Sequence, residues 1–161
     1  MYYDHIDFFV DKYEKLFCFI TNKMIYCSKN LSIMSDKIKF EIEFVIHASP
    51  QMLYNYISTP SGLSEWFADN VNSRGEKFTF IWDDSEEEAI LLNKKSNERA
   101  KYQWVEDEGE EYYFEIKIQV DEITKDVSLI VTDFSEEDEL EENKMLWENT
   151  ISNLKQILGS V

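Results

Sequence analysis

SEEDELEENKMLWENTISNLKQIL, residues 135–158, gives the clearest indication of the fold of this chain. Its main apolar positions step by three or four residues, so they lie along one face of an α-helix. Acidic residues 136–139 favour a helix start because the positive end of the helix dipole attracts negative charge, and Gly159 ends the helix. The chain is therefore predicted to end in a long amphipathic helix that covers an apolar surface. The positions along the covering face are Leu140, Lys144, Trp147, Ile151, Leu154 and Leu158.

The surface to be covered is predicted from six segments upstream of this helix. Most alternate apolar and polar residues with period two, which is typical of β-strands with one buried face. Residues 89–92 are all apolar, which predicts a more buried strand at that place. Short polar turns separate the last five segments, so neighbouring strands are expected to pair antiparallel. The six segments are residues 38–46, 78–82, 87–93, 100–104, 112–120 and 127–132.

Two short helices are predicted directly after the first strand. Ser49 and Thr59 are good N-caps, and each is followed by a proline, which suits the first helical position. Residues 68–72 then lead into a turn at residues 73–75. The side chains expected to face inward are Met52, Leu53, Tyr56 and Ile57 in the first helix, and Leu63, Trp66 and Phe67 in the second.

These elements predict an α+β domain over residues 34–161. We expect a curved antiparallel sheet of about six to seven strands around the C-terminal helix. Residues 1–33 are an extension with two open interpretations. They form a helix, because Ile6, Phe9, Val10, Tyr13, Phe17 and Ile20 recur at helical spacing, or the start codon is misassigned and the native chain begins at Met34.

The net charge of the chain limits the classes of binding partner that we expect. The net charge is −17, and residues 34–161 carry all of it, with 12 basic and 29 acidic side chains. Such a surface repels phosphate backbones and anionic lipid headgroups, so we expect neither nucleic acid nor a membrane as a partner. A basic protein partner is compatible with it. The oligomeric state is not predicted.

Cysteine usage and hydropathy favour a cytoplasmic protein. Cys18 and Cys27 are the two cysteines, and although a disulfide between them is possible, no metal-binding spacing occurs. No run of 18 apolar residues is present, and acidic residues precede the apolar patch at residues 16–20, where a secretory signal needs positive charge.

No motif for catalysis, cofactor binding or metal binding stands out, so we expect none of the three. His47 is the one histidine of the domain, and it lacks a nearby nucleophile in the sequence. The acidic runs lack the ligand pattern of a calcium loop. Aromatic density instead suggests a ligand cavity, although plain core packing explains any single aromatic residue at least as well. The cavity candidates are Trp66, Phe80, Trp82, Tyr102, Trp104, Tyr112, Phe114, Trp147 and Ile151.

Three segments resemble a known family. They are HASPQMLYNYIS at residues 47–58, TPSGLSEWFAD at 59–69 with Pro60, Leu63 and Trp66, and WENTISNLKQILG at 147–159. Together with the order of elements, they resemble the helix-grip fold of the START and birch-pollen-allergen (SRPBCC) superfamily. More narrowly, they resemble START-like proteins related to the activator of the heat-shock protein 90 ATPase. The glycines of the family's strand pair around Phe80-Ile81-Trp82-Asp83 are nearly absent, so the family's pocket shape does not carry over.

Three functions follow as hypotheses. The first is a non-enzymatic protein that binds a small apolar or amphipathic ligand between the sheet and the helix of Trp147. The second, which the resemblance implies, is an acidic interaction module or co-chaperone-like regulator. The third is an enzyme of the cyclase or hydrolase type, as occurs in the superfamily, and the lack of a nucleophile–base pair weighs against it.

Overall fold

The computed structural model describes residues 37–83 and 85–160. The two interpretations of residues 1–33 and the cysteine pair lie outside the described residues. No helix in the described part has the length and apolar content needed to cross a bilayer.

A seven-stranded antiparallel sheet forms the body of the domain. Its spatial order is β1-β7-β6-β5-β4-β3-β2, so the first strand pairs with the last. The remaining strands form a meander, as short polar turns predict. The strands are β1 (Ile38–Ile46), β2 (Asn70–Arg74), β3 (Lys77–Trp82), β4 (Ser85–Lys95), β5 (Arg99–Trp104), β6 (Phe114–Val120) and β7 (Val127–Ser135).

Three α-helices accompany the sheet in the part of the chain that the structure describes, and the predicted class of the fold is confirmed. They are α1 (Pro50–Ser58), α2 (Pro60–Leu63) and α3 (Leu140–Ile157). Both predicted caps form: Ser49 Oγ accepts from the Met52 N–H at 3.3 Å, and Thr59 Oγ1 accepts from the Gly62 N–H at 3.0 Å. Gly159 has φ +66°, a left-handed conformation suited to glycine, and lies just after α3.

The core lies between α3 and the sheet. Trp147, Ile151 and Leu154 are buried on the helix, as the apolar spacing predicts. The sheet contributes Phe80, Tyr102 and Phe114, each without exposed surface, and their rings pack against one another with centroids 5.0 to 6.5 Å apart. Side chains therefore fill the centre of the grip.

Five details differ from the sequence prediction. Helix α2 ends at Leu63, so Trp66 and Phe67, which the sequence predicts on this helix, lie in the turn that follows it. Residues 70–74 form β2 although they carry one apolar side chain, Val71, because backbone pairing with β3 through the turn at Gly75 suffices. Helix α3 begins at Leu140, four residues after the acidic start predicted at residue 136, because β7 stays paired with β1 as far as Ser135 and residues 137–139 form a turn.

The other two differences concern burial. Leu92 is 46% exposed, because the register shifts between Leu91 and Asn93 and β4 has one buried face. Met52 is 43% exposed, since Leu53 and Ile57 supply the buried face of α1.

Candidate functional site

A cleft of about 420 Å³ lies between α3 and one end of the sheet. Strands β3, β5 and β7 end there, and β4 and β6 begin there, because alternate strands of a meander run in opposite directions. Asn143, Trp147 and Thr150 border the cleft from α3, and Leu146, which is 62% exposed, stands at its rim. The cleft thus occupies the end of the grip that the core side chains leave open.

Aromatic rings form the apolar wall of the cleft. Phe67, which follows α2, packs with its ring centroid 5.6 Å from that of Trp147 and 6.2 Å from that of Trp82. The Trp82 indole N–H donates to the Phe67 carbonyl at 3.1 Å, which fixes this corner. Trp104 lies 4.9 Å from Phe114 between ring centroids, so it rests on the core. The wall is therefore rigid and positioned from several elements.

The polar floor of the cleft is Asp133, near the end of β7. Its Oδ2 accepts from the Trp147 indole N–H at 2.7 Å, and its Oδ1 accepts from the Phe134 backbone N–H at 2.8 Å. Burial raises the pKa of Asp133 to about 6, against the opposing effect of these two hydrogen bonds. Lys37 lowers the same pKa slightly, and Asp107 raises it. Asp133 is thus a partly buried carboxyl that titrates close to physiological pH.

An ion pair closes the side of the cleft beside β6. Lys37 Nζ lies 2.6 Å from Asp107 Oδ1 and 4.9 Å from the centre of the Tyr112 ring. The side-chain amide of Gln103 holds the connecting loop in place by donating to the carbonyls of Asp107, Glu110 and Tyr112 at 2.9 to 3.2 Å. Asp107 and Tyr112 are therefore fixed by the loop, and the ammonium group already has its counter-ion.

The predicted cavity residues divide into three groups. Trp82, Trp104, Tyr112 and Trp147 line the cleft together. Trp66 borders a shallower neighbouring groove instead, and its indole N–H donates to the Tyr56 carbonyl at 3.0 Å. The remaining four have no exposed surface, pack in the core and border neither space; they are Phe80, Tyr102, Phe114 and Ile151.

Tyr102 has a structural partner of its own. Its hydroxyl donates to the Ile57 carbonyl at 2.9 Å, and burial raises its pKa. This bond ties β5 to the end of α1. His47 also lies away from the cleft lining: its side chain is exposed and its backbone N–H donates to Ser160 Oγ at 2.6 Å.

Sequence reasoning did not select Asp133 or Glu87, which both line the cleft. The signal was available in the alternation of the strands. Leu129 and Val131 face the core, and one further step of two residues reaches Asp133. Likewise, Leu91 and Ala89 are buried, and the same face of β4 continues to Glu87. An acidic side chain at an inward position was the clue. Elsewhere among residues 37–83 and 85–160, no three His, Cys, Asp or Glu side chains are grouped as a metal site would require.

Comparison with known proteins agrees with this architecture. Residues 34–160 match the START-like superfamily domain, and the chain belongs to that superfamily. None of the curated proteins matches the chain.

Solved structures show the same fold. The solution structure of BfR322 from Bacteroides fragilis is 36% identical, with a TM-score of 0.56, and the match covers 76% of this chain and 91% of that one. An Aha1 dimer from Colwellia psychrerythraea is 18% identical, with a TM-score of 0.59 and coverage of 73% and 93%. Protein MLL2253 from Mesorhizobium loti is 16% identical, with a TM-score of 0.64 and coverage of 76% and 97%. The last two similarities concern the fold alone.

Proposed function

We propose that this START-like protein binds a small amphipathic molecule in the cleft between α3 and the sheet, without chemical conversion, in the cytoplasm. The observation that carries the proposal is the composition of the cleft: a rigid aromatic wall faces one partly buried carboxyl, Asp133. Ligand sites combine mostly apolar walls with a few placed polar groups that fix orientation.

The volume of the cleft limits the size of the ligand. A volume of about 420 Å³ lies within the usual range of small-molecule sites. Phe80, Tyr102 and Phe114 occupy the interior behind it, so a long acyl chain has no room to extend along the grip. A compact ligand with one apolar body therefore fits better than a long-chain lipid.

The polar groups around the cleft support binding rather than catalysis. Trp147 and the Phe134 N–H each donate to Asp133, and Lys37 is paired with Asp107. Asn143 Nδ2 donates to Ser135 Oγ at 2.6 Å and so fastens α3 to the end of β7. Each group thereby holds an element in position, which suits a preformed binding site.

A ligand screen tests this proposal. Thermal unfolding and isothermal titration calorimetry against a panel of metabolites and lipids should reveal compounds that stabilise the protein. A ligand at about 100-fold its Kd adds about 2.7 kcal/mol to the free energy of unfolding, which raises Tm by several degrees.

A matched pair of variants locates the binding. Thr150→Phe should fill the cleft and abolish binding, because Thr150 lines it. Asn149→Phe adds the same ring at an exposed neighbouring position and should leave binding intact. If both variants bind the ligand equally well, the ligand does not bind in the cleft.

A second candidate function is regulation through a basic protein partner. Three acidic stretches, residues 86–88, 106–111 and 136–142, lie at the cleft end of the sheet, where β4 begins, β5 ends and β7 ends. This clustering of negative charge favours association with a basic surface, which salt would weaken.

Pull-down from lysate at low and moderate salt tests the second candidate. The double variant Glu137→Gln with Asp138→Asn should weaken a specific association. The matched double variant Glu122→Gln with Asp126→Asn, in the turn at the other end of β6, should not. If both double variants lose the partner, the association depends on net charge alone and not on the acidic stretch at residues 136–142.

A further inference from the structure

The charges that line the cleft are mostly negative. Glu87, Asp107 and Asp133 contribute three carboxyls, whereas Lys37 is the sole basic side chain among the described lining residues. Because Lys37 Nζ lies 2.6 Å from Asp107 Oδ1, this pair is close to neutral as a unit. Among the residues that the structure describes, Asp133 and Glu87 have no basic side chain within 4.0 Å. The cleft therefore presents uncompensated negative charge to a ligand.

The apolar wall presents groups that attract cations as well as hydrocarbon. Trp82, Trp104 and Trp147 supply three indole rings, and Tyr112 adds a phenol ring whose centre lies 4.9 Å from Lys37 Nζ. The face of an aromatic ring carries partial negative charge, and the attraction for a cation is strongest for tryptophan. Several aromatic rings beside a carboxylate form the arrangement that proteins use for ammonium groups.

Asp133 is able to accept a further hydrogen bond. Each of its oxygens receives one N–H within the protein, from Trp147 and from Phe134. An ionised carboxylate has about four acceptor positions, so each oxygen keeps capacity for a donor from the ligand. A hydrogen bond from an ammonium group to a carboxylate is about twice as strong as a neutral one.

The negative electrostatic potential of the acidic stretches also favours a cation at the cleft. The acidic residues 86–88, 106–111 and 136–142 are placed at the end of the sheet that holds the cleft. Negative charge around a low-dielectric cleft concentrates cations near its mouth and speeds their association.

We propose that the ligand of this cleft carries an organic cation, a protonated amine or a quaternary ammonium, and that the Asp133 carboxylate is its counter-ion. This inference rests on the proposed binding function and specifies its ligand. The apolar body of the ligand packs against Phe67 and the tryptophans, while its charged head lies against the polar floor.

The protonation of Asp133 then controls the affinity. With its pKa raised to about 6, Asp133 is mostly ionised at neutral pH and becomes neutral as the pH falls below that value. Lys37, Glu87, Asp107, Tyr112 and Tyr113 are the other charged or titratable side chains at the cleft, and the described lining residues of α3 are uncharged. Cation binding should weaken by up to about 10-fold between neutral pH and about pH 5.

A matched ligand series separates this inference from the proposed function. The probes are 1-naphthylmethylamine, 1-naphthylmethanol and 1-naphthylacetate, which share one apolar body and differ in the charge of the head. Binding is measured by isothermal titration calorimetry near neutral pH, and the shifts of the tryptophan indole N–H signals in NMR spectra report the site. We expect the amine to bind at least about 10-fold more tightly than the alcohol, and the acetate to bind most weakly.

Variants identify the counter-ion. Asp133→Asn should reduce the preference for the amine over the alcohol to less than about 3-fold. Glu122→Gln removes one exposed carboxyl outside the cleft and should preserve the preference. If Asp133→Asn does not fold, the pH dependence of amine binding to the unaltered protein, measured beside that of the alcohol, replaces it.

The remaining outcomes each have a distinct meaning. Equal binding of amine and alcohol, or tighter binding of the acetate, overturns the cation inference and leaves the proposed binding function in place. Binding of none of the three probes overturns the inference and leaves the wider ligand panel to decide the proposed function. A preference for the amine that survives Asp133→Asn rejects Asp133 as the counter-ion.

Discussion

The indole N–H of Trp147 donates to Asp133 Oδ2 over 2.7 Å, and this hydrogen bond joins α3 to the end of β7. The tryptophan is nearly buried in the core, whereas the carboxylate lies on the floor of the cleft. A single contact therefore connects the packing of the helix, the ionisation of the floor and the shape of the candidate site.

The stability of the protein should depend on the ionisation of Asp133. The pKa of this group is raised from its ordinary value of 3.8 to about 6, so folding favours the protonated form. Its contribution to stability is fully present below about pH 4 and is lost as the pH rises through 6. The loss amounts to up to about 3 kcal/mol, less the screening by solvent at its exposed part.

Asp133→Asn removes this dependence. The free energy of unfolding of the variant, minus that of the unaltered protein, should increase between about pH 4 and pH 7. Urea denaturation across this range, followed by circular dichroism, measures the difference, and Glu122→Gln controls for the loss of one charge. A difference that stays constant with pH would contradict the raised pKa of Asp133.

Trp147→Phe should cost at least about 2 kcal/mol of stability, because it removes apolar contact area and one of the two hydrogen-bond donors of a partly buried carboxylate. A double-mutant cycle with Asp133→Asn isolates the hydrogen bond, and we expect a coupling of about 1–2 kcal/mol. Trp104→Phe is the control, since its indole N–H donates to no side chain or carbonyl among the described residues. If Trp104→Phe and Asp133→Asn show a coupling energy of the same size, the cycle measures a general disturbance of the cleft and not the hydrogen bond between Trp147 and Asp133.

Tyr102→Phe should destabilise the protein by about 1–2 kcal/mol. The change leaves the Ile57 carbonyl, buried at the end of α1, without the hydroxyl that donates to it at 2.9 Å. Tyr54→Phe removes a hydroxyl that makes no hydrogen bond within the described part of the chain, and it should change stability by less than about 0.5 kcal/mol. Urea midpoints at a constant m-value give both numbers; equal midpoints would argue against the bond between β5 and α1.

Gly62→Ala should be among the most damaging substitutions in the domain. A Cβ at this position would overlap with Asn55 O and lie 2.7 Å from Tyr56 Cα, both backbone atoms of α1. Because the backbone of α1 cannot rotate away, we expect a loss of about 3 kcal/mol or more.

Gly75→Ala provides the comparison for that substitution. Gly75 has φ +68° and open space around its Cβ position, so the substitution strains the turn without a clash and should cost about 1 kcal/mol. Thermal unfolding of the two variants ranks them. Similar losses would mean that α1 and α2 adjust to the added methyl group.

The predicted helices and strands agree with the structure where the local sequence signals are strong. The caps at Ser49 and Thr59 and the alternation in β1 are properties of a few neighbouring residues, and all of them form as predicted. Strand β2 has no such signal, because it depends on pairing with β3 across a turn. The late start of α3 has the same cause: residues up to Ser135 are held by β1, which lies almost 100 positions earlier in the chain.

The residues of the candidate site were also only partly predictable from the sequence. Aromatic density pointed to Trp82, Trp104, Tyr112 and Trp147, which line the cleft, but equally to Phe80 and Phe114, which fill the core. Sequence alone does not distinguish them: Trp82 and Phe80, for example, occupy inward positions of the same strand, β3. Their depth along the sheet decides whether a ring borders the cleft or is covered on every side.

Local sequence patterns specify the α+β class, the antiparallel meander and the covering helix, because period two, period 3.6 and the caps are encoded within short windows of the chain. The position of the cleft, and the placement of Asp133 on its floor beside Trp147, depend on tertiary contacts. These features arise when segments distant in sequence meet, so the burial and charge of each group are set by neighbours that no local pattern specifies.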